Sequence, residues 1–284
     1  MKDASKHMSA ILRRVKENGY VLMLDFDGVL SPIVKIPSNA RVSLVARRAL
    51  AACVKKMPVA ILTGRTLADI EKRVALKDVI YAGSHGLEWK MLGRAHRRNL
   101  SRNTLSEFAK ARRALLKYSK LFPSLFVEDK KHCLALGYRS LSKKQVIRFR
   151  HGASRIMNGV AQAGTIRVVD NLYTFEIMPG FEWTKGECAR HIFKTVSKKR
   201  SVAVYIGDTL TDEDAFRVFT KGGVTIRVGK DSASVAQYYF KSRSGVDRFL
   251  RRMAHAKRRL YSERKRYHTR NLGNEELLRF LMFP

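Results

Sequence analysis

Short apolar runs recur along the first third of the chain, and each run ends in glycine or polar residues. The first run covers Tyr20–Leu24, the second Val59–Leu62 and the third Val79–Ala82. Continuous apolar runs of this length are typical of strands that are buried on both faces of a parallel sheet. We therefore predict three strands at these positions, each followed by a polar turn.

The segments between these runs carry apolar residues at helical spacing. They predict helices at about 5–18 and 38–56, and a third helix that begins after Thr66. Pro58 ends the second helix, and the Thr66 side chain is suited to capping the third. Strands that alternate with helices predict a Rossmann-like, doubly wound α/β fold around a parallel sheet.

The pattern changes near residue 100, where helices alternate with pairs of short extended runs. Helices are predicted at about 104–120 and 142–158. Each helix precedes two extended runs with turn residues between them, which predicts a hairpin. The paired runs are 125–128 with 133–138, and 165–169 with 173–178. Because the unit occurs only twice, it predicts a small α+β module inserted into the α/β fold rather than a solenoid.

The α/β pattern resumes after Pro179-Gly180. A helix at about 184–198, a buried strand at 201–206 and an extended stretch at 224–228 precede a last helix near 245–260. These changes of pattern divide the chain into four predicted segments. They are a first part of the core domain at 1–100, the inserted module at 101–181, a second part of the core domain at 182–250, and a basic C-terminal extension at 251–284.

Polar residues follow four of the predicted strands at their carboxyl ends. Parallel strands end at the same edge of a sheet, where ligands bind in such folds, so these side chains should meet in one place. They are Asp25 and Asp27 after the first strand, Thr63 after the second, Ser84 and His85 after the third, and Asp208 and Asp212 after the strand at 201–206. This convergence indicates a functional site more strongly than any single motif does.

Asp25, Asp27 and Asp208 form a candidate metal site. Asp25 and Asp27 are two positions apart, so an extended chain points both side chains the same way. Neighbouring carboxylates repel each other unless a cation or a proton lies between them. Their hard oxygen atoms are the ligands that Mg²⁺ prefers. An ordinary polar turn after a strand is the alternative interpretation of Asp25 and Asp27 taken alone.

The other polar residues at this edge favour phosphoryl transfer. The Thr63 hydroxyl is suited to binding a phosphoryl oxygen alongside backbone amides. Lys185, at the start of a predicted helix, adds positive charge where anions already bind well. With the metal, Lys185 would neutralise the phosphoryl oxygens, so that Asp25 could act as a covalent nucleophile. Asp27 would protonate the leaving oxygen and then deprotonate the attacking water.

Composition excludes several classes of protein. The chain has 284 residues and is 45% hydrophobic, which fits a folded protein rather than a disordered one. No apolar run reaches the ~18 residues of a membrane helix, and residues 1–20 lack the apolar centre of a signal peptide. We therefore expect a cytoplasmic protein with no membrane span, and separately we expect a monomer. Cys53, Cys133 and Cys188 are far apart, which fits buried thiols better than a disulfide framework or a zinc site.

The chain is strongly basic. An excess of 57 Lys and Arg over 24 Asp and Glu gives a net charge of +33. Such a charge attracts anions but does not identify them. Nucleic acid, an anionic membrane surface, a phosphorylated substrate and an acidic or salty cellular interior all stay open. Residues 248–270 hold ten Lys or Arg and one acid, which predicts either a solvated helix face or a contact with a polyanion.

The order of the motifs resembles that of the haloacid-dehalogenase-like phosphatases. The matching residues are Asp25-Phe26-Asp27-Gly28-Val29-Leu30, Thr63, Lys185, and Gly207-Asp208 with Asp212. The inserted module resembles the α/β cap (C2-type) of that superfamily. The resemblance implies a Mg²⁺-dependent phosphatase with an aspartyl-phosphate intermediate. The implied catalytic residues are Asp25, Asp27, Thr63 and Lys185, and the implied metal ligands are Asp25, Asp27, Asp208 and Asp212.

Within that superfamily, the chain resembles the trehalose-6-phosphate phosphatases over about residues 18–252. The supporting segments are 81–88, 127–130, 138–139 and 211–216. The resemblance implies hydrolysis of trehalose 6-phosphate to trehalose and phosphate. It implies contacts to this substrate from Arg65, His85, Glu128, Lys130, Arg139 and Glu176. Three residues depart from the family's pattern, namely Thr209 at a usual Asp, Val29 at a frequent Thr and Gly137 at a frequent His.

Three alternatives stay open at this point. The same chemistry could act on another sugar phosphate, of the sucrose- or glucosylglycerol-phosphate type. From a different class, the protein could bind nucleic acid or an anionic surface through its basic tail at 251–284. A regulatory protein without activity would fit the departure at Thr209, although the intact Asp25 and Asp27 argue against it.

Overall fold

The structure, a computed structural model, describes residues 1–34, 37–130, 132–160, 164–170, 173–180 and 183–255. Its strands and helices are numbered here in chain order. The strands are β1 (Lys2–Asp3), β2 (Tyr20–Leu24), β3 (Val59–Leu62), β4 (Ile80–Gly83), β5 (Glu88–Met91), β6 (Arg94–Arg97), β7 (Phe126–Lys130), β8 (Cys133–Gly137), β9 (Ile166–Asp170), β10 (Thr174–Pro179), β11 (Val202–Gly207), β12 (Val224–Val228) and β13 (Tyr238–Phe240). The helices are α1 (Met8–Asn18), α2 (Leu44–Val54), α3 (Leu67–Val74), α4 (Arg102–Ser119), α5 (Lys143–Val160), α6 (Lys185–Val196), α7 (Asp212–Phe219) and α8 (Arg243–His255).

Within the described residues, the strands form two sheets. The larger sheet has the order β1-β13-β12-β11-β2-β3-β4-β5-β6. It is parallel from β1 to β4, and the β4–β5 and β5–β6 pairs are antiparallel. All residues of the central strands β2 and β11 are buried. Helices α1, α2, α3 and α8 cover one face and α6 and α7 the other, which confirms the predicted doubly wound fold.

The smaller sheet is antiparallel, with the order β7-β8-β10-β9. Helices α4 and α5 cover one face, where Phe149 packs against Phe175 and the apolar side chains of β8. The alternate residues of these strands, among them Glu128, Lys130 and Glu176, point to the opposite face. We call this sheet with α4 and α5 the cap, and the larger sheet with its helices the core domain. The fold class is confirmed, and the exact boundaries at 1–100, 101–181, 182–250 and 251–284 stay predictions.

Several elements differ from the sequence-based expectation. The helix predicted at 38–56 begins later, because Pro37–Asn39 form a short 3-10 helix and the Ser43 hydroxyl caps α2 by accepting from Ala46 N. The hairpin of β5 and β6 was not predicted, since β6 is a charged edge strand without an apolar face. Helix α7 was also missed, as were the short strands β1 and β13.

The last predicted helix is present as α8, and its continuation to 260 lies outside the described residues. The same holds for most of the basic extension and for the apolar stretch 274–283. Cys53, Cys133 and Cys188 are buried and free, as predicted. Among the described helices, none combines the length and the apolar character needed to cross a bilayer.

Candidate active site

Asp25 lies directly after β2, at the carboxyl edge of the larger sheet. Its backbone N–H donates to Ile206 of β11, and its Oδ1 accepts from Phe26 N at 2.6 Å. The side chain is only 5% exposed. Gly28, with φ +75°, lets the following turn approach the end of β11 so closely that a Cβ would overlap the Asp208 carboxylate. The glycine therefore permits the close approach of the two acidic loops.

Lys185, the first residue of α6, places a buried cation between two carboxylates. Its Nζ lies 2.9 Å from Asp25 Oδ2 and 2.6 Å from Asp212 Oδ1. The side chain is 2% exposed. Burial alone would lower the pKa of Lys185, but Asp212 and Asp25 outweigh it and raise the pKa above its usual value. Lys185 therefore stays charged and compensates both carboxylates.

Both oxygens of Asp212 are engaged by donors from the protein. Oδ1 accepts from Lys185 and from the Tyr205 hydroxyl at 2.8 Å. Oδ2 accepts from the backbone N–H of Asp208 and Thr209 and from the Thr209 hydroxyl at 2.8 Å. Although burial raises it, the Lys185 charge and these hydrogen bonds lower the pKa of Asp212 to about 2. Thr209, the departure from the family pattern, thus donates a hydrogen bond where an Asp would add a negative charge.

Asp208 differs from Asp212 because its Oδ1 is buried and has no hydrogen-bond partner among the described residues. Carboxylate oxygens of Asp25, Asp208 and Asp212 lie within 4.8 Å of one another. Burial, together with the neighbouring carboxylate of Asp212, raises the pKa of Asp208 to about 8 and raises the pKa of Asp25 as well. Two acids that are held together and left partly uncompensated by protein donors fit a hard divalent cation such as Mg²⁺.

Asp27 lies outside this group of carboxylates. Arg65 pairs with it through Nε to Oδ2 at 2.7 Å and Nη2 to Oδ1 at 2.8 Å. The same guanidinium donates to Pro37 O and to Asp69 Oδ2. Arg65 therefore fixes the position of Asp27, and the ligand role predicted for Asp27 stays a prediction.

The turns after β3 and β4 bring Thr63 and His85 to the same edge. Thr63 is 1% exposed, its Oγ1 accepts from Arg65 N at 3.2 Å, and its carbonyl accepts from His85 N. Ser84 and His85 both have positive φ, at 51° and 57°. Non-glycine residues rarely adopt this conformation, and it is concentrated at functional sites. A Cβ on Gly64 would lie 2.6 Å from the imidazole, so the glycine leaves room for the ring.

The cap contributes Glu128, Lys130 and Glu176. Lys130 Nζ lies 3.1 Å from Glu128 Oε2 and 3.4 Å from the carbonyl of Gly64, so it reaches the core domain. Glu176 Oε2 lies 3.9 Å from His85 Nε2. A groove of about 290 Å³ runs between the two parts of the molecule. It is lined by Arg65, Thr66 and Arg73 of the core domain and by Phe126, Glu128 and Lys130 of the cap.

Arg139 follows the end of β8 that is farther from Lys130. In the cap sheet, Cys133 pairs with Lys130 at one end of β8, and Gly137 pairs with Phe126 at the other. Arg139 follows this second end, where its guanidinium carbon lies 4.4 Å from the centre of the exposed Tyr173 ring. The substrate contact predicted for Arg139 stays a prediction.

Three residues that contribute to the site were missed from sequence. Tyr205 donates to Asp212, and Arg167 of the cap pairs with Asp214 of α7 at 2.6 Å. Thr209 had been noted only as a departure. The Tyr205 hydroxyl, in an otherwise apolar buried strand, was a usable signal because a buried hydroxyl needs a partner.

Comparison with known proteins identifies the family. The trehalose-phosphatase family model matches residues 23–244. This chain belongs to the trehalose-phosphatase family. It is 30% identical over 270 residues to trehalose-phosphate phosphatase B of Arabidopsis thaliana, covering 89% of this chain and 71% of that protein. It is 32% identical over 241 residues to trehalose-phosphate phosphatase of Mycobacterium ulcerans, covering 82% of this chain and 61% of the relative.

Solved structures agree with the family at the level of the fold. The C-terminal domain of trehalose-6-phosphate phosphatase from C. albicans superposes with a TM-score of 0.78 at 24% sequence identity. The match covers 87% of this chain and 96% of that domain. This member of the trehalose-phosphatase family therefore has the fold of that domain, in which a cap is inserted into a doubly wound α/β core.

Proposed function

We propose that this chain hydrolyses trehalose 6-phosphate to trehalose and phosphate, with Mg²⁺ as its cofactor. The observation that carries the proposal is the buried Lys185 ammonium between Asp25 and Asp212, beside Asp208 Oδ1, which has no hydrogen-bond partner in the described part of the chain. This combination of a buried cation with acidic side chains suits a phosphate dianion and a metal ion in the same place. The family of the chain supports trehalose 6-phosphate as the substrate.

Asp25 is the proposed nucleophile. Its Oδ1 is held by Phe26 N and its Oδ2 by Lys185, so the carboxylate has one fixed orientation. Attack on phosphorus would form an aspartyl-phosphate and release the sugar oxygen. Lys185 and the Thr63 hydroxyl would bind phosphoryl oxygens. Mg²⁺, held by Asp25 and Asp208 with Asp27 and Asp212 as the further predicted ligands, would neutralise charge on the phosphoryl group.

Asp27 is the proposed general acid and base. As it stands, its carboxylate accepts two hydrogen bonds from Arg65 and is not placed to donate a proton. The substrate phosphate carries negative charge that competes for the Arg65 guanidinium. Asp27 would then keep one contact to Arg65, which orients it, and its other oxygen would be released to protonate the leaving sugar oxygen and, in the second step, to deprotonate the water that attacks the aspartyl-phosphate.

The cap would select the sugar. Glu128, Lys130 and Glu176 face the core domain beside His85, and carboxylates are good acceptors for sugar hydroxyls. The His85 ring nitrogens are buried without a hydrogen-bond partner among the described residues, and a bound sugar would supply one. Closure of the cap over the groove would also exclude bulk water from the phosphorylated intermediate. A substrate contact from Arg139 stays part of the proposal.

The test is phosphate release from a panel of sugar phosphates, with and without Mg²⁺. We expect metal-dependent turnover that is highest on trehalose 6-phosphate and is lost in Asp25→Asn. Highest turnover on a sucrose- or glucosylglycerol-type phosphate would keep the mechanism and replace the substrate. No turnover on any compound would overturn the proposal.

The cap assignment has its own test, which compares Glu128→Gln with its sequence neighbour Asp129→Asn. Asp129 points to the other face of β7 and pairs with Arg112 of α4. Glu128→Gln should raise KM for trehalose 6-phosphate far more than KM for a small aryl phosphate. Asp129→Asn should leave both constants near those of the parent. An equal effect of Glu128→Gln on both substrates would contradict a sugar contact.

A further inference from the structure

A second group of metal-ligand side chains lies at the contact between cap and core domain. His85 comes from the turn after β4, Cys133 from β8 and Glu176 from β10. Within the described residues, a ligand atom of each lies within 4.8 Å of the other two. Cys133 and Glu176 lie on the cap face that is turned away from α4 and α5, because Glu176 pairs with Ala135, two positions from Cys133. The group is distinct from the acidic cluster of Asp25, Asp208 and Asp212.

The imidazole of His85 is available for coordination. Both ring nitrogens are buried, and neither has a hydrogen-bond partner among the described residues. Burial, followed by the charges of Lys185, Lys130 and Arg167, lowers the pKa of His85 to about 3, so the ring is neutral and keeps a free lone pair. Gly64 packs against the ring. Because a Cβ on Gly64 would collide with the imidazole, the glycine is needed for the ring to keep this position.

We propose that His85, Cys133 and Glu176 form a binding site for Zn²⁺ at the contact between cap and core domain. One nitrogen, one sulfur and one carboxylate oxygen are the donors that Zn²⁺ takes, whereas Mg²⁺ requires oxygen ligands. Three protein ligands leave a fourth, open position for water. The sequence did not predict this site for two reasons. The three cysteines are far apart, and the other two ligands, His85 and Glu176, lie far from Cys133 in the chain.

Charge balance supports a dication in spite of the nearby lysines. A bound metal deprotonates a coordinating thiol, so Cys133 and Glu176 together would contribute two negative charges. Zn²⁺ with these ligands and a neutral imidazole forms a complex with no net charge. Lys130 and Lys185 therefore face a neutral group, not an additional cation. Ligand atoms in a tetrahedral zinc site are about 3.5 Å apart, so a small inward movement of the three side chains completes the geometry.

Because one ligand comes from the core domain and two come from the cap, we expect the bound ion to affect the opening of the cap. Opening of the cap separates His85 from Cys133 and Glu176 and lets the ion enter, and binding favours the closed arrangement. The ion would also occupy two residues that the proposed function assigns to the sugar. Zn²⁺ should therefore inhibit hydrolysis, a consequence that rests on the proposed function, whereas binding itself does not.

The test uses Co²⁺ as a spectroscopic probe for Zn²⁺, added to the full chain in saturating Mg²⁺. Coordination by a thiolate gives an intense charge-transfer absorption in the near ultraviolet, which oxygen ligands at the acidic cluster do not give. We expect a saturable band at one Co²⁺ per chain that Zn²⁺ abolishes. Absence of this band in the folded parent protein would overturn the proposal.

Variants locate the site. Cys133→Ser should lose the band. Cys53→Ser should keep it, because Cys53 is buried between the larger sheet and helices α1, α2, α3 and α8, and is not one of the proposed ligands. His85→Ala and Glu176→Gln should weaken Co²⁺ binding at least ~10-fold, by the loss of one ligand. Asp208→Asn should keep the band, which separates this site from the acidic cluster. A band that survives in Cys133→Ser, or that is lost only in Cys188→Ser, would contradict the assignment.

The two proposals fail in different ways. If the chain does not hydrolyse trehalose 6-phosphate, the absorption band and its loss in Cys133→Ser are still expected. If Zn²⁺ inhibits the parent and Cys133→Ser equally at saturating Mg²⁺, inhibition arises at the acidic cluster. The proposal that Zn²⁺ inhibits by binding between cap and core domain is then wrong. Relief of inhibition in Cys133→Ser, with Cys53→Ser still inhibited, would support it.

Discussion

Arg65 holds Asp27 in a bidentate ion pair, with Nε 2.7 Å from Oδ2 and Nη2 2.8 Å from Oδ1. The Arg65 side chain is 8% exposed and that of Asp27 40%, so the pair lies at the mouth of the site rather than in its interior. Planar, two-point contact orients a carboxylate in a way that a single ammonium does not. Arg65 is thus a positioning residue for the proposed general acid.

Arg65→Lys should therefore impair catalysis more than folding. We expect kcat on trehalose 6-phosphate to fall ~10- to 100-fold, because the Asp27 carboxylate loses its fixed orientation. The matched control is Arg73→Lys, since Arg73 lines the same groove and shares Asp69 with Arg65 but does not touch Asp27. Steady-state kinetics and melting temperatures of both variants decide the matter. A similar kcat in the two variants would exclude a role through Asp27.

Thr209 should stabilise the acidic loop through its hydroxyl. Thr209→Val removes the donor to Asp212 Oδ2 and should lower the free energy of unfolding by about 1–2 kcal/mol. Thr209→Ser keeps a hydroxyl and should lose less. Chemical denaturation in the absence of metal measures both. If Val and Ser are equally destabilising, the lost interaction is packing of the methyl group, not the hydrogen bond.

His85 should make stability depend on pH. The pKa of His85 is about 3 in the folded protein, below its usual 6.5, so between these values this side chain binds more protons in the unfolded chain than in the folded one. The contribution of His85 to the free energy of unfolding should therefore fall as pH falls below 6.5, by about 1.4 kcal/mol per pH unit, whereas the raised pKa values of Asp208 and Asp25 contribute in the opposite sense. Denaturant titrations with a chelator present, at pH values on both sides of 6.5, measure the slope.

The variant His85→Gln should remove about 1.4 kcal/mol per pH unit from that slope, the amount that corresponds to one bound proton, because it removes the titrating group. The control is His151→Gln, which changes an exposed histidine of α5 and should leave the slope unchanged. An unchanged slope in His85→Gln would show that the ring is protonated, or solvated, in the folded protein.

Gly64 should tolerate no side chain. A Cβ there lies 2.6 Å from the His85 ring, so Gly64→Ala must push the imidazole out of its place. We expect a loss of about 1–3 kcal/mol in stability and a higher KM for the sugar phosphate. Gly159→Ala is the control, because a Cβ at this exposed position of α5 meets no atom of the described residues within 4 Å. It should be neutral or slightly stabilising. A fully stable Gly64→Ala protein would mean that the ring moves freely.

The central part of the fold was predictable because its signals are local. The strands β2, β3, β4 and β11 are continuous apolar runs, and parallel strands must end at one edge. These two signals suffice to predict that Asp25, Thr63, His85 and Asp208 lie together. The cap was predictable for a similar reason, since its two hairpins carry their turn residues between alternating strands.

What could not be predicted depends on contacts between distant segments. The pairing of Asp27 with Arg65 depends on how two turns pack, and the approach of Gly28 to Asp208 depends on β2 and β11 being neighbours. Strand β6 was not predicted, because an edge strand buries little side-chain surface and need not be apolar. The position of Arg139 beyond the end of β8 follows from the register of that strand, which no pattern of apolar residues fixes beyond its alternation.

The composition of the outer strands also bears on self-association. One edge of the larger sheet is β1, only two residues long, and the other is β6, which carries Arg94 and Arg97 and is largely exposed. Unpaired strand edges are templates for aggregation unless they are short or charged. Both devices occur here, one at each edge. The charged side chains of β6, in the hairpin that ends the sheet, thus disfavour pairing of this edge with a strand of another molecule, both during folding and at high protein concentration.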